Sequence, residues 1–242
     1  MSNSQEPRLA RAAAMIADPA RSRMLSYLLA GQYASAGELA RAGSVTAPTA
    51  SAHLGKLLAS GFVICEARGR HRYYRLADAE IAHALEALAL VAERAPAERA
   101  WASPERRRLR YARCCYRHLA GALGVALFTH LLQEQHLRSS ADGYALTPSG
   151  EAWIHRLGCT PPTPGPGRRF AYACLDWSER RDHLAGSLAD ALLDHFVSRH
   201  WLRRNVVPRT VMPGAGSSHR ALTLTPTGQR ELLPQLGLDA AW

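Results

Sequence analysis

The sequence predicts a mainly α-helical protein with small β-hairpins, an α+β fold. Three observations predict it. Residues 38–77 run as short helix, tight turn, second helix and basic hairpin. Elsewhere apolar residues recur at helical spacing in short segments bounded by Gly and Pro. Two motifs, His-Leu-Ala-Gly and Leu-Thr-Pro-x-Gly, each occur twice in the second half.

The segment before Asp18 carries Leu9, Ala13 and Ile16 at helical spacing. Leu39 and Ala40 give the next short helix its apolar contact, and Gly43 is placed to end it in the left-handed region. Thr46 is the N-cap of the following helix, with Pro48 in its first turn, where no backbone N–H is needed. Ala50, Leu54, Leu57 and Leu58 recur at i, i+4, i+7 and i+8 and form one buried stripe. The opposite face presents Thr49, Ser51, Ala52, His53 and Lys56: small groups for close approach and two longer donors. Gly61 ends the helix. Phe62–Glu66 is a strand by its β-branched and aromatic content. Arg68-Gly-Arg70 is the turn and His71–Leu76 the return strand.

These elements make a winged helix-turn-helix. Pro48 through Lys56 would enter the major groove of duplex DNA, with Thr46 a further contact at the helix start, and Arg68, Arg70, His71 and Arg72 would clamp phosphates from the wing. A solvated turn on a small α/β domain is the alternative.

Residues 78–94 read as one helix with an apolar stripe of Ile81, Leu85, Leu88 and Val91. Residues 95–104 and 159–168 are linker candidates, rich in Pro, Ala and Gly. The segments flanking the second linker repeat. His118-Leu-Ala-Gly matches His183-Leu-Ala-Gly, and Leu146-Thr-Pro-Ser-Gly matches Leu224-Thr-Pro-Thr-Gly. Each copy reads helix, helix, hairpin, helix. In the first copy the hairpin turns at Asp142-Gly143, and Thr147 caps the closing helix. In the second, Pro208, Pro213, Gly214 and Gly216 lengthen the hairpin loop. The domains are therefore 1–95, a DNA-binding and dimerisation domain, then 105–158 and 168–242, two repeats that together form an effector domain.

Residues 10–95 resemble the ArsR/SmtB family of winged-helix repressors. The likeness rests on Asp18-Pro-Ala-Arg-Ser-Arg-Met-Leu-Ser-Tyr-Leu28, on Thr46-Ala-Pro-Thr-Ala-Ser-Ala-His-Leu-Gly-Lys-Leu57 and on the wing. It implies a homodimer that binds an inverted repeat in double-stranded DNA, represses transcription, and leaves when an effector binds. It also makes residues 78–94 the dimer helix, packed with the segment before Asp18. The family's metal sites do not carry over. Ala34-Ser-Ala-Gly-Glu-Leu has no cysteine, and only His83 and Glu86 match a later ligand pair, too few to close a tetrahedral zinc site.

The second half is similar to the long C-terminal extension of some ArsR-type regulators. The shared motifs are Cys115-Tyr-Arg-His-Leu-Ala-Gly121 and Cys174-Leu-Asp-Trp-Ser-Glu-Arg-Arg-Asp-His-Leu-Ala-Gly186. The end of each copy resembles the wing of MarR-like winged helices, as scaffold; Arg203, Arg204, Arg209 and Arg220 give the second copy more positive charge.

Lys and Arg total 30 against 20 Asp and Glu, a net charge of +10 with pI near 10.0, which suits a polyanion partner. No apolar run approaches the ~18 residues of a membrane span, and no secretory signal is visible. Five cysteines without such a signal point to thiols in a reducing cytoplasm.

The repeats concentrate Cys114, Cys115, His118, Cys174, Asp176 and His183. Cys115 and His118 at i, i+3, or Cys114 and His118 at i, i+4, can share a helix face, and His118 and His183 can approach if the repeats pack together. Thiolates beside imidazoles suit a soft metal, a metalloid or an oxidant as effector. No resident cofactor is predicted. Two alternatives stay open. The cysteines can be buried apolar residues and the histidines helix caps. Or an apolar organic effector can sit between the repeats, lined by Trp177, Tyr116, Tyr172 and Trp201 and anchored by Arg180 or Arg181. An enzyme with Cys115 or Cys174 as nucleophile and His118 or His183 as base is the remote reading. No nucleophile elbow or phosphate loop supports it, so no enzymatic activity is predicted.

Overall fold

The computed structural model describes residues 8–31, 33–68, 71–92, 103–163, 165, 168–205 and 218–239. They divide into two compact units, 1–85 with 206–219, and 86–205 with 220–242.

The first unit opens with α1 (Arg8–Ala17) and α2 (Pro19–Leu28). One motif makes both ends at this junction. Asp18 is the N-cap of α2, its carboxylate accepting from the backbone N–H of Ala20 and Arg21 at 2.9 Å each, with Pro19 in the first turn. Arg21 turns back and donates to Ala14 O at 2.7 Å and Met15 O at 2.8 Å, satisfying the last carbonyls of α1.

β1 (Ala34–Ser35) leads into α3 (Ala36–Gly43) and α4 (Ala47–Ala59). Ser35 and Glu38 form a reciprocal capping box at the start of α3. At its end the left-handed residue is Ser44 (φ 57°), not Gly43. Gly43 is the last helical residue, and what it supplies is room for α2: a Cβ on it would lie 2.7 Å from Met24 Cε. Thr46 caps α4 by accepting from Thr49 N at 3.4 Å.

β2 (Val63–Arg68) and β3 (His71–Leu76) form the hairpin, and β1 pairs on the far side of β3, giving the sheet order β1-β3-β2. Met24, Leu25, Leu28, Leu39, Ala50, Leu54, Leu57, Val63 and Leu76 make the core. Leu58 does not join it. It is 38% exposed, because at about 100° per residue it points about 80° away from Ala50. α5 (Ala79–Ala92) follows the hairpin, with Leu88 and Val91 exposed.

The second unit begins at Glu86 and contains α6 (Pro104–Tyr111), then two copies of one pattern. Copy one is β4 (Arg113–Cys115), β5 (His118–Ala120), α7 (Ala122–Gln133), β6 (Leu137–Ser140), β7 (Gly143–Leu146) and α8 (Pro148–Arg156). Copy two is β8 (Tyr172–Leu175), β9 (Asp182–Ala185), α9 (Ser187–Ser198), β10 (Leu202–Arg204), β11 (Leu222–Leu224) and α10 (Pro226–Glu231). Copy one as read from the sequence does open on a helix, α6, but in both copies the segment that carries the Cys and the His is a hairpin, where the sequence reading sets them on a helix. Cys115 and His118 are cross-strand partners, as are Cys174 and His183.

In His-Leu-Ala-Gly, strand alternation sends Leu119 and Leu184 into the large core and keeps Ala120 and Ala185 in a small cluster with Cys115 and Cys174. The glycine then turns the chain into a helix: Gly121 (φ 80°) and Gly186 (φ 101°) would place a Cβ 2.6 Å from Arg110 O and 2.5 Å from Phe170 O. In Leu-Thr-Pro-x-Gly, Thr147 and Thr225 are N-caps accepting from Gly150 N at 3.1 Å and Gly228 N at 3.0 Å. Pro148 and Pro226 open the helices, and a Cβ on either glycine would collide with a backbone carbonyl, His136 O or Trp201 O.

α7 and α9 supply most of the core through Leu123, Leu127, Phe128, Leu131, Leu188, Leu192 and Phe196. No helix among the described residues is long and apolar enough to cross a membrane.

Candidate functional site

Two sites emerge, one in each unit. In the first, the face of α4 opposite Leu54 and Leu57 is open: Thr46, Pro48, Thr49, Ser51, Ala52 and Lys56 are all exposed. The Thr49 hydroxyl lies 2.9 Å from that of Thr46, so the helix start is rigid as well as small. His53 belongs less to this face. It is only partly exposed, its Nδ1 3.3 Å from Arg21 Nη1 and its Nε2 3.9 Å from Asp18 Oδ1. It ties α4 to the α1–α2 junction, so the side chain read as a donor to bases is already engaged.

In the wing, Arg68 pairs with His71 across the hairpin. Arg68, His71 and Arg72 are exposed, and Arg70 lies outside the described residues. Arg68 is steadied by Glu66 at 3.4 Å and by the Tyr33 ring, 4.3 Å from its guanidinium. The Glu66 carboxyl is held below its usual range, first by the Tyr33 hydroxyl, which donates to it at 2.8 Å, then by Arg75 and Arg68.

The second site is built by the repeat hairpins. Cys115, His118, Cys174 and His183 are all buried, and one ligand atom from each lies within 4.8 Å of the other three. His118 Nε2 is 3.1 Å from His183 Nε2. His183 Nδ1 is 3.3 Å from Asp176 Oδ2.

Asp176 is itself fully buried and heavily held. It accepts from Arg113 Nη2 at 2.9 Å, from Gly121 N at 2.7 Å, and from the backbone and hydroxyl of Ser178 at 2.9 and 2.7 Å. Burial pushes its carboxyl up, but the neighbouring His183 imidazole and the Arg113 cation outweigh this and keep it ionised far below the usual range. Burial pushes His183 down, and the adjoining Asp176 carboxylate and Cys174 thiol reverse that and raise it to about 9. Hydrogen bonding to Cys174, then burial, hold the Cys115 thiol well above its normal value, the opposite of an activated nucleophile.

The other predicted effector residues are placed differently. Cys114 points from the opposite face of β4, into the large core, with Arg204 Nη1 3.6 Å from its sulfur. Trp177 is buried beneath the Arg113 guanidinium at 4.5 Å. Trp201 packs on Phe196 in the core. Arg180 and Arg181 are exposed. Arg220 is buried, bonded to Glu86 and to Cys114 O, and is not a surface contact for DNA. Arg209 lies outside the described residues.

Sequence reasoning missed Arg113, and took Glu86 only as half of an incomplete metal-ligand pair. Arg113 is fully buried, bonded to Asp176 and Ser178 and 3.9 Å from Glu86. The signal was slight: one arginine among many, immediately before the cysteine pair.

A helix-turn-helix domain family matches residues 16–66. The winged helix-turn-helix domain of Mb0332 from Mycobacterium bovis is 28% identical, covering 38% of this chain and 91% of that one with a TM-score of 0.33. The repressor BigR of Xylella fastidiosa is 31% identical, covering 34% and 84% with a TM-score of 0.31. The uncharacterized HTH-type transcriptional regulator YdfF of Bacillus subtilis (strain 168) is 38% identical over 225 residues, covering 92% of this chain and 94% of that protein. That match runs through the winged helix and both repeats, and it places the chain in the family of YdfF: it is an HTH-type transcriptional regulator with a helix-turn-helix DNA-binding domain.

Proposed function

We propose that the chain is an ArsR-type repressor that binds an inverted repeat as a homodimer and is released when an effector occupies the C-terminal unit. The observation that carries this is the open N-terminal face of α4, small and polar from Thr46 to Ala52 and followed by an arginine-bearing wing. Such a face admits close approach to base edges, and the wing supplies sequence-independent phosphate contacts. Dimer formation is supported by apolar side chains left exposed on α1 (Leu9, 81%) and on α5 (Leu88, 46%; Val91, 51%). The effector class follows from the buried Cys115, His118, Cys174 and His183: a soft metal or metalloid, or an oxidant that removes two electrons and two protons as Cys115 and Cys174 join.

The test is selection of genomic fragments on the immobilised full chain, then anisotropy on the best fragment with cadmium, zinc, arsenite or peroxide added. Retention of a fragment containing an inverted repeat, and its release by one of these, is the expected result. Failure to retain any duplex at low salt rejects the reading of α4. Retention without release by any of the four rejects the effector class.

A further inference from the structure

We infer that Cys115, His118, Cys174 and His183 form a closed four-coordinate site for a divalent, borderline-soft metal ion of the zinc, cobalt or cadmium type. The inference deepens the effector reading above, but its test reads the metal directly.

Each hairpin contributes one cross-strand Cys–His pair, Cys115 opposite His118 and Cys174 opposite His183. Cross-strand partners project from the same face of a hairpin. The motifs differ in spacing, two intervening residues in copy one and eight in copy two, yet both deliver the same pair. Strand alternation sends Leu119 and Leu184 to the other side, into the core, so the ligand faces are left to meet each other.

The sizes fit. Metal–nitrogen bonds near 2.05 Å and metal–sulfur bonds near 2.3 Å at a tetrahedral centre put two nitrogens about 3.3 Å apart and two sulfurs about 3.8 Å apart. The two imidazole nitrogens are 3.1 Å apart, and all four ligand atoms lie within 4.8 Å of one another. Closing on an ion asks for side-chain shifts of about an ångström or less.

The charges fit as well. Two thiolates and a divalent cation sum to zero, so the loaded site can remain buried without an unpaired charge. Sulfur and imidazole donors select against magnesium and calcium, which take oxygen. Four protein ligands leave no position for water, the arrangement of a site that holds shape rather than one that hydrolyses.

The surroundings are those of a metal site. Asp176 Oδ2 stands 3.3 Å from His183 Nδ1, on the side of the ring away from Nε2, which faces His118 Nε2 across the centre; on metal binding this carboxylate is placed to take the Nδ1 proton's hydrogen bond. The same carboxylate accepts from Gly121 N at the start of α7, so one group stands beside a ligand of copy two and anchors a helix of copy one.

The experiment uses the full reduced chain, stripped with a chelator and titrated with Co²⁺. One cobalt per chain, with tetrahedral ligand-field bands and thiolate-to-cobalt charge transfer displaced by zinc, is expected. Cys115→Ser and Cys174→Ser should each weaken binding at least 100-fold and lower the charge-transfer intensity, while Cys65→Ser on β2 leaves both unchanged. If the serine variants do not fold, X-ray absorption at the zinc edge of the unmodified chain should instead show two sulfur and two nitrogen neighbours. A folded chain that shows no charge transfer in excess cobalt, an unchanged spectrum in the folded Cys115→Ser/Cys174→Ser double variant, or a zinc edge without sulfur neighbours overturns the site. A chain that takes up the metal and keeps its grip on DNA supports the site and rejects only the effector reading.

Discussion

Arg113 donates to Asp176 at 2.9 Å with both side chains fully buried, joining the first strand of one repeat to the turn of the other. Taking two charges out of water is favourable only with close geometry and further hydrogen bonds, and here Ser178, Gly121 and Leu109 supply them.

Arg113→Met removes the cation and leaves the Asp176 carboxylate buried without its main counter-charge. The expected loss is about 3–5 kcal/mol of unfolding free energy in the second unit, read by urea denaturation of the full chain. Pairing it with Asp176→Asn should recover part of that loss. Equal and additive effects of the two substitutions would contradict the coupling.

The glycines of His-Leu-Ala-Gly are required by the backbone. Gly121→Ala and Gly186→Ala meet both positive φ and a carbonyl within 2.6 Å, so each should destabilise by at least about 1–3 kcal/mol. Gly55 of α4 has open space around its Cβ position. Gly55→Ala should therefore raise stability by up to about 1 kcal/mol. Thermal melts distinguish the two classes, and equal effects would reject the assignment.

Asp18 gives a pH dependence with a definite sign. Backbone hydrogen bonding from Arg21, opposed by burial and reinforced by His53 and Arg21, keeps its folded carboxyl below the ordinary value. Its stabilisation is thus present above the unfolded value of about 4 and is lost as the pH falls through the lower folded value. Asp18→Ala should cost about 1 kcal/mol at neutral pH. Asp18→Asn retains the cap, and its melts should fall less steeply below about pH 4. An Asn variant with an unaltered acid profile would refute this.

Much of the first unit was legible in the sequence because its signals are local. Thr46, Pro48 and Gly61 mark the ends of α4, and Phe62–Leu76 alternates as a hairpin should. The capping box at Ser35 and Glu38 has an equally local Ser-x-x-Glu signature, which the sequence reading passed over. The Asp18-Pro19-x-Arg21 motif was visible, but the reach of Arg21 back to Ala14 and Met15, and its meeting with His53, required tertiary structure.

In the second unit the repeats were legible and their first element was not. Cys115 to His118 fits helical spacing, yet two residues between cross-strand partners is also a hairpin turn, and Tyr116 takes the positive φ (59°) that turn needs. Cys115 and Cys174 sit at different distances from their histidines in the chain, so their equivalence appears only in the strand pairing.

Arg72 and the α4 face should behave differently on DNA. Arg72→Ala should weaken binding to all duplexes alike and reduce the slope of log affinity against log salt by about 1. Thr49→Val or Ser51→Val should instead change the ranking of sequences, by about 1–3 kcal/mol at the base contacted. If both kinds of variant lower affinity uniformly, α4 does not read bases.

The most direct measurement is the ratio of affinities of the full chain for its best selected fragment and for a scrambled duplex, taken at one salt concentration for the unmodified chain and for Ser51→Val. A ratio of at least about 10³ that falls sharply in the variant is the predicted result. A ratio near one, or one that Ser51→Val leaves untouched, would contradict the placement of α4 in the major groove.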